Sequence, residues 1–138
     1  MFDFSGLNVH AAKFLGLLRI VTGLLYMQHG TQKLLNFPAP PDHPVTLMSQ
    51  MGLGGVLELV GGLLIVLGLF TRPVAFLLSG MMAVAFFQFH FALGANPFYP
   101  ILNGGDLAVL FCFVYLYFVF SGPGAFAVDN ILGRRGRY

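Results

Sequence analysis

Four stretches of this chain are apolar and long enough to cross a lipid bilayer, and no other feature constrains its fold as tightly. A helix needs about 20 mostly apolar residues to span the hydrocarbon core. The segments at about 12–35, 53–70, 73–93 and 101–120 qualify. The runs are continuous, without sustained polar alternation, so helices are expected rather than barrel strands. The expected fold is all-α: a four-transmembrane-helix bundle forming a single domain over residues 1–138.

Composition agrees. Hydrophobic residues make up 57% of the 138 and charged residues 9%, against roughly 25% charged in an average soluble domain. Too few polar side chains are present to cover a water-exposed surface. Seven Lys and Arg at net charge +2 make no basic stripe, so no nucleic-acid partner is expected; the lipid bilayer is. One cysteine, Cys112, excludes an internal disulfide and two-thiol chemistry within one chain. It lies in an apolar run and reads as a neutral buried thiol.

Pro73 suits a first helical turn, and Gly122-Pro123-Gly124 ends the fourth segment. Arg19 and the length of the first segment argue against a cleavable signal peptide. Lys13, Arg72, Arg134, Arg135 and Arg137 all flank one side of the expected bundle, and only Lys33 approaches the other. The positive-inside rule then places both termini in the cytoplasm. A multi-pass protein of the inner (plasma) membrane is expected, with the Pro-rich 36–52 connection facing outward.

Ionisable groups inside a membrane are costly and mark functional positions. Counting about 1.5 Å per residue puts Glu58 roughly 8 Å below the outer surface, and Asn103 and Asp106 roughly 3 and 8 Å below it. His29 and Lys33 end the first segment; Gln88 and His90 end the third. Four segments thus bring polar groups to one level. Helical phase places Arg19, Gly23, Tyr26, Gly30 and Lys33 on one stripe, and Gly54, Glu58, Gly61 and Gly62 on one face of the second helix. Glycines there permit close helix contact, so the two faces are expected to pack together.

Glu58 and Asp106 are the acids of this layer, Lys33 its base, and His29 a further one. One reading is a structural salt-bridge layer that fixes register; the other is a small-molecule pocket. Arg19 lies about 20 Å from Lys33 along its helix, away from that layer, and Asp129 is its expected partner. His29 and His90 on separate helices also suit haem iron, but both lie near a membrane edge, where hydrogen bonding is the ordinary role. No metal site is expected. The phenylalanines at 86, 87, 89 and 91 read mainly as lipid-facing packing, and the methionines as gap filling.

These residues resemble the DoxX family of small four-helix membrane proteins. The resemblance covers nearly the whole chain. It rests on Arg19, His29-Gly30, Lys33-Leu34, Leu57-Glu58-Leu59 with Gly61-Gly62, Gly68-Leu69-Phe70-Thr71-Arg72, Asn103-Gly104-Gly105-Asp106-Leu107-Ala108, and Gly122-Pro123-Gly124 leading to Asp129. One departure is Asp106, where relatives commonly carry Glu. Members of that family include a membrane subunit linked to thiosulfate:quinone oxidoreduction and a protein associated with oxidative-stress enzymes. The resemblance therefore implies a quinone-interacting or redox-associated membrane component, a subunit of a quinone-linked oxidoreductase, working with a partner protein or as a homo-oligomer.

On that reading Glu58 and Asp106 relay protons, and His29 and Lys33 hold a quinone carbonyl or an anionic substrate. His90 and Asn103 complete the binding residues. Two other readings are a non-enzymatic membrane scaffold or assembly partner, in which the polar layer is structural, and a small-solute transporter.

Overall fold

A computed structural model of the chain describes residues 5–92, 94 and 96–135, with the side chains of Ser5, Arg134 and Arg135 left aside. The expected end of the third segment at Leu93, and the Arg137 of the orientation argument, lie outside the described residues, as do the side chains of Arg134 and Arg135. Among the described residues every regular element is helical. A 3-10 turn at Ser5–His10 leads into α1 (Ala11–Leu35), followed by α2 (Gln50–Leu67) and α3 (Thr71–Ala85). The third helix widens into a π-helical turn at Phe86–Phe91. Then come the short α4 (Pro100–Asn103), α5 (Asp106–Ser121) and α6 (Val128–Arg135).

Three of these helical stretches, 6–35, 50–67 and 71–91, are long and apolar enough to cross a membrane; α5 is apolar but shorter. Caps account for boundaries that hydropathy misplaces. α2 starts at Gln50 rather than 53 because the Ser49 side chain accepts from the Gly52 N–H at 3.0 Å. It stops at Leu67 rather than 70 because Gly68 turns left-handed, at φ 65°. The expected continuous fourth helix is broken: Gly104, at φ 71°, ends α4 after one turn. Only a residue tolerant of the left-handed region fits there.

The helices form two close pairs, α1 with α2 and α3 with α5. The α1–α2 seam is the expected glycine contact. A Cβ on Gly30 would lie 2.5 Å from the Leu59 backbone nitrogen, and one on Gly23 3.0 Å from the Gly62 carbonyl. Of the expected α2 face, Glu58 and Gly62 meet α1, whereas Gly54 and Gly61 turn towards Met81 and Leu78 of α3; Gly55 takes the place beside Lys33 and Leu34. Large side chains join the two pairs. Tyr26, Phe111, Tyr115 and Phe118 are buried together, with Tyr26 and Tyr115 edge to face at 5.1 Å.

One end of the bundle is locked by Arg19, which is fully buried. Its Nε donates to the Pro123 carbonyl at 2.8 Å and its Nη1 to the carbonyls of Ile65 and, at 2.6 Å, Val66. Its Nη2 donates to those of Ala125 and Phe126 at 3.2 and 2.9 Å. Ile65 and Val66 belong to the last turn of α2, whose carbonyls lack the usual partner four residues on; that of Ile65 also accepts from the Gly68 N–H at 3.0 Å. A cation at a helix C-terminus is also favoured by the helix dipole.

The expected Arg19–Asp129 ion pair does not form as a direct contact. Asp129 does fold back to this end, but its Oδ1 and Oδ2 accept the Phe70 and Thr71 N–H groups, each at 2.8 Å. It caps α3 and makes no direct contact with Arg19, because the open N-terminus of α3 offers two donors in line with its carboxylate.

Arg19→Lys keeps the charge but loses the planar fork, leaving carbonyls of two segments unpaired. We expect a loss of about 2–4 kcal/mol in unfolding stability in mild detergent, with Gly80→Ala, where nothing lies within 4 Å of the added methyl, neutral or slightly stabilising. Equal stability of Arg19→Lys and the parent would contradict this role.

Candidate functional site

At the end of the bundle remote from Arg19 the two helix pairs separate around a cavity of about 720 Å³, within the usual range for small-molecule sites. Its walls are mainly apolar. Leu57, Met81, Met82, Ala85, Phe89, Leu107, Ala108 and Phe111 contribute most of them. The polar groups are few and come from three helices: Tyr26, His29 and Lys33 from α1, Gln50 and Glu58 from α2, and His90 from the π-helical end of α3.

Lys33 and Glu58 are paired, Nζ to Oε1, at 2.6 Å. Glu58 is almost wholly buried, while the Lys33 side chain keeps 22% exposure. The pair depends on the glycine seam. Gly55 lies beneath Lys33, where an added Cβ would sit 3.1 Å from the lysine Cβ, and Gly30 lies over Leu59. A side chain at either glycine would push the helices apart and stretch the ion pair. The second carboxylate oxygen, Oε2, is buried without a hydrogen-bond partner. A buried carboxylate oxygen left unpaired is costly, so Glu58, which lines the cavity, carries one unsatisfied acceptor.

His29 is exposed at the rim, its ring edge-on to Phe111 at 6.4 Å. His90 is half-buried and its Nδ1 lies 3.0 Å from the Asn103 carbonyl oxygen. A carbonyl only accepts, so Nδ1 donates and the neutral ring keeps Nε2 as an acceptor. Tyr26 stands at the inner end, its hydroxyl donating to Met81 Sδ at 3.5 Å. Gln50 and Gln88 are hydrogen-bonded across the rim, α2 to α3.

Of the residues singled out from sequence, Glu58, Lys33, His29 and His90 share the cavity; Asp106 and Asn103 do not line it. Asp106 is exposed in the first turn of α5, where an acid complements the helix dipole. The face of α5 turned inward carries Ala108, Phe111, Tyr115 and Phe118, and Asp106 stands about 200° round the helix from Ala108. Asn103 is a loop organiser. Its Oδ1 accepts from Gly105 N at 2.9 Å, and its Nδ2 donates to the carbonyls of Asn96 and Pro97 at 3.0 and 3.3 Å.

The polar layer is therefore built by three helices, and α5 supplies an apolar wall. Tyr26, Phe111, Met81 and Gln50 were not singled out from sequence as site residues. Tyr26 carried a usable signal, one turn before His29 and Gly30 on the glycine stripe of α1. Among the described residues, no three His, Cys, Asp or Glu side chains converge as a metal-binding set.

The sequence is similar to those of known membrane proteins. A sequence model of the DoxX family matches residues 14–91. An uncharacterized protein of Haemophilus influenzae is 45% identical over 133 residues, covering 91% of this chain and 96% of that protein. The inner membrane protein YqjF of Escherichia coli is 28% identical over 130 residues, covering 85% of this chain and 90% of that one. An uncharacterized membrane protein of Mycobacterium tuberculosis is 28% identical over 136 residues, covering 86% and 80% respectively. No solved structure matches the chain.

Removing one member of a buried ion pair strands the other. Lys33→Met is expected to cost about 2–4 kcal/mol, below the fully buried range because Lys33 is partly exposed. The double variant Lys33→Met/Glu58→Leu should recover most of that loss. Thermal unfolding of the two purified proteins checks it, and strictly additive losses would remove the coupling.

Proposed function

The chain belongs to the DoxX family of multi-pass membrane proteins, and we propose that it is a quinone-interacting component of a membrane redox system, with the quinone ring held in the cavity beside Glu58. The observation that carries this reading is the unpartnered Glu58 Oε2 beside a mainly apolar, ring-lined cavity. A quinol hydroxyl is a donor of the right kind for Oε2. Lys33 and His29 offer N–H groups to a quinone carbonyl, and Phe111 and Tyr26 offer ring faces and edges. Reduction of a quinone takes up two electrons and two protons. Glu58 and His90 are groups able to pass those protons. The electrons come from the cofactor of a partner oxidoreductase, as the quinone-linked members that this chain resembles suggest. Asp106, exposed and off the inward face, is proposed as a surface group of the same assembly rather than as a second proton carrier.

In this proposal all 138 residues form one domain of four crossings in the inner membrane, with both termini cytoplasmic. The fourth crossing comprises α4 and α5 joined through Gly104-Gly105. α5 alone rises about 24 Å, short of a hydrocarbon core of about 30 Å, and α4 supplies the remainder. Lys13 and Arg72 flank the Arg19 end, which supports a cytoplasmic placement. Reporter fusions at both termini should be active only as cytoplasmic reporters. In a Cys112→Ser background, a cysteine at Asp42 should react with an impermeant maleimide from the periplasmic side. Labelling from the cytoplasmic side alone would reverse the orientation.

A second reading is favoured by the position of the ion pair itself, which bridges α1 and α2. In a scaffold protein Lys33–Glu58 would serve only to fix helix register, and a partner oxidoreductase would assemble on the outside of the bundle. The two readings separate on binding. Purified protein in lipid nanodiscs should bind a benzoquinol analogue. Glu58→Gln should weaken that binding by about tenfold or more, the loss of one charge-assisted hydrogen bond. An exchanged pair, Lys33→Glu with Glu58→Lys, should retain register but not quinol affinity. No binding by the parent, with Glu58→Gln indistinguishable from it, would leave the scaffold reading.

A further inference from the structure

The seam between α2 and α3 is not uniformly closed, and the place where it opens lies beside the cavity. Nearer the Arg19 end the two helices touch tightly: a Cβ on Gly61 would fall 2.7 Å from the Leu78 side chain. At the far end they are tied by the hydrogen bond between Gln50 and Gln88. Between these two contacts lies a gap about 16 Å tall, measured as the helical rise from Gln50 to Gly61. At Gly54, in the middle of the gap, an added Cβ would meet only the terminal methyl of Met81, at 3.4 Å. Leu53 on one side and Val84 on the other line the cavity, yet they are 53% and 49% exposed. The gap thus has a floor, a lintel and two apolar jambs, with one flexible methionine across it.

We infer that this gap is a lateral window through which the cavity receives its ligand from the bilayer, the ligand being an amphiphile whose apolar tail lies between Gly54 and Met81 while its head group reaches Glu58. The inference rests on the head-group site proposed above and adds the tail and its route. The physical case is one of solvent. In a membrane the residues of the window face hydrocarbon rather than water, so an alkyl or isoprenoid chain passes from lipid to the gap without crossing a polar layer. Glu58 lies two turns along α2 from Gln50, roughly 12 Å, and one turn from Gly54, roughly 6 Å, so the carboxylate falls within the height of the window and one turn deeper than the tail. Gln50 and Gln88 close the gap towards the aqueous edge, which disfavours a purely water-soluble ligand at this opening. Met81 also receives the Tyr26 hydroxyl, so a tail that displaces the methionine releases a hydrogen-bond donor at the inner end of the head-group site.

The test compares two probes, a dimethoxy-methyl-benzoquinone ring bearing a decyl tail and the same ring without it, on protein in lipid nanodiscs. The parent is expected to bind both. Gly54→Phe should lower affinity for the tailed probe by about tenfold and leave the tail-less ring within about threefold. Val84→Trp, which fills the window from the opposite helix, should repeat the pattern and guards against a folding defect in the first variant. Glu58→Gln should weaken both probes together.

Unchanged binding of the tailed probe in both window variants, or equal loss of both probes, would overturn the window while leaving the head-group site in place. No binding of either probe by the parent would overturn the head-group reading and the window with it.

Discussion

A carboxylate surrounded by hydrocarbon keeps its charge only with a cation within reach, and in this chain the ion pair fits the distance between two helices. Glu58 meets Lys33 only because α1 and α2 lie nearly backbone to backbone, with Gly30 over Leu59 and Gly55 beneath Lys33. The pair consumes one carboxylate oxygen and leaves the other free. The α3–α5 pair stands off from α1 and α2 at the same level, and Glu58 lines the cavity that this leaves. Ion pair, seam and cavity follow from one another. Widening the seam would break the pair and leave both carboxylate oxygens of Glu58 without a partner.

The two ends of the bundle solve opposite problems. At the Arg19 end three chain segments converge, and five carbonyl contacts to one guanidinium fix them. Asp129 closes the start of α3 there and Arg72 donates to the carbonyls of Val119 and Phe120 at the end of α5. The other end is assembled from irregular pieces: a π-helical turn, a one-turn α4, a left-handed Gly104 and the Gln50–Gln88 bridge. π-helical turns recur at functional sites because they re-aim side chains, and here Phe89 and His90 in that turn line the cavity. A rigid end holding an irregular, cavity-bearing end is the arrangement a binding site on a scaffold needs.

Much of this was legible in the sequence, for reasons that also mark where legibility ends. The Arg19–Lys33 stripe was readable because α1 has glycines and polar residues on one face and aliphatic residues elsewhere. The Lys33–Glu58 meeting followed from depth alone. Depth does not give the direction a side chain faces. α5 is apolar all round, so its phase carries no pattern, and the sequence gives the level of Asp106 but not that it faces away from the cavity. The turn at Gly104 fixes that phase, and its left-handed backbone is a tertiary outcome. Gly54 and Gly55 are adjacent, and only the contact with Lys33 and Leu34 decides which faces α1. Arg19 and Asp129 reach the same corner, yet each finds backbone partners better aligned than the other's charge. Hydropathy has no means of representing that competition.

The central claim is that the cavity beside Glu58 houses a lipid-soluble ring compound in the membrane. The most direct measurement is mass spectrometry of small molecules retained by the protein after extraction from its native membrane with a mild detergent, quantified per chain. The account predicts an isoprenoid quinone approaching one per chain in the parent and strongly depleted in Glu58→Gln. Recovery of no quinone above the level carried by an unrelated membrane protein, or equal recovery from parent and variant, would contradict it.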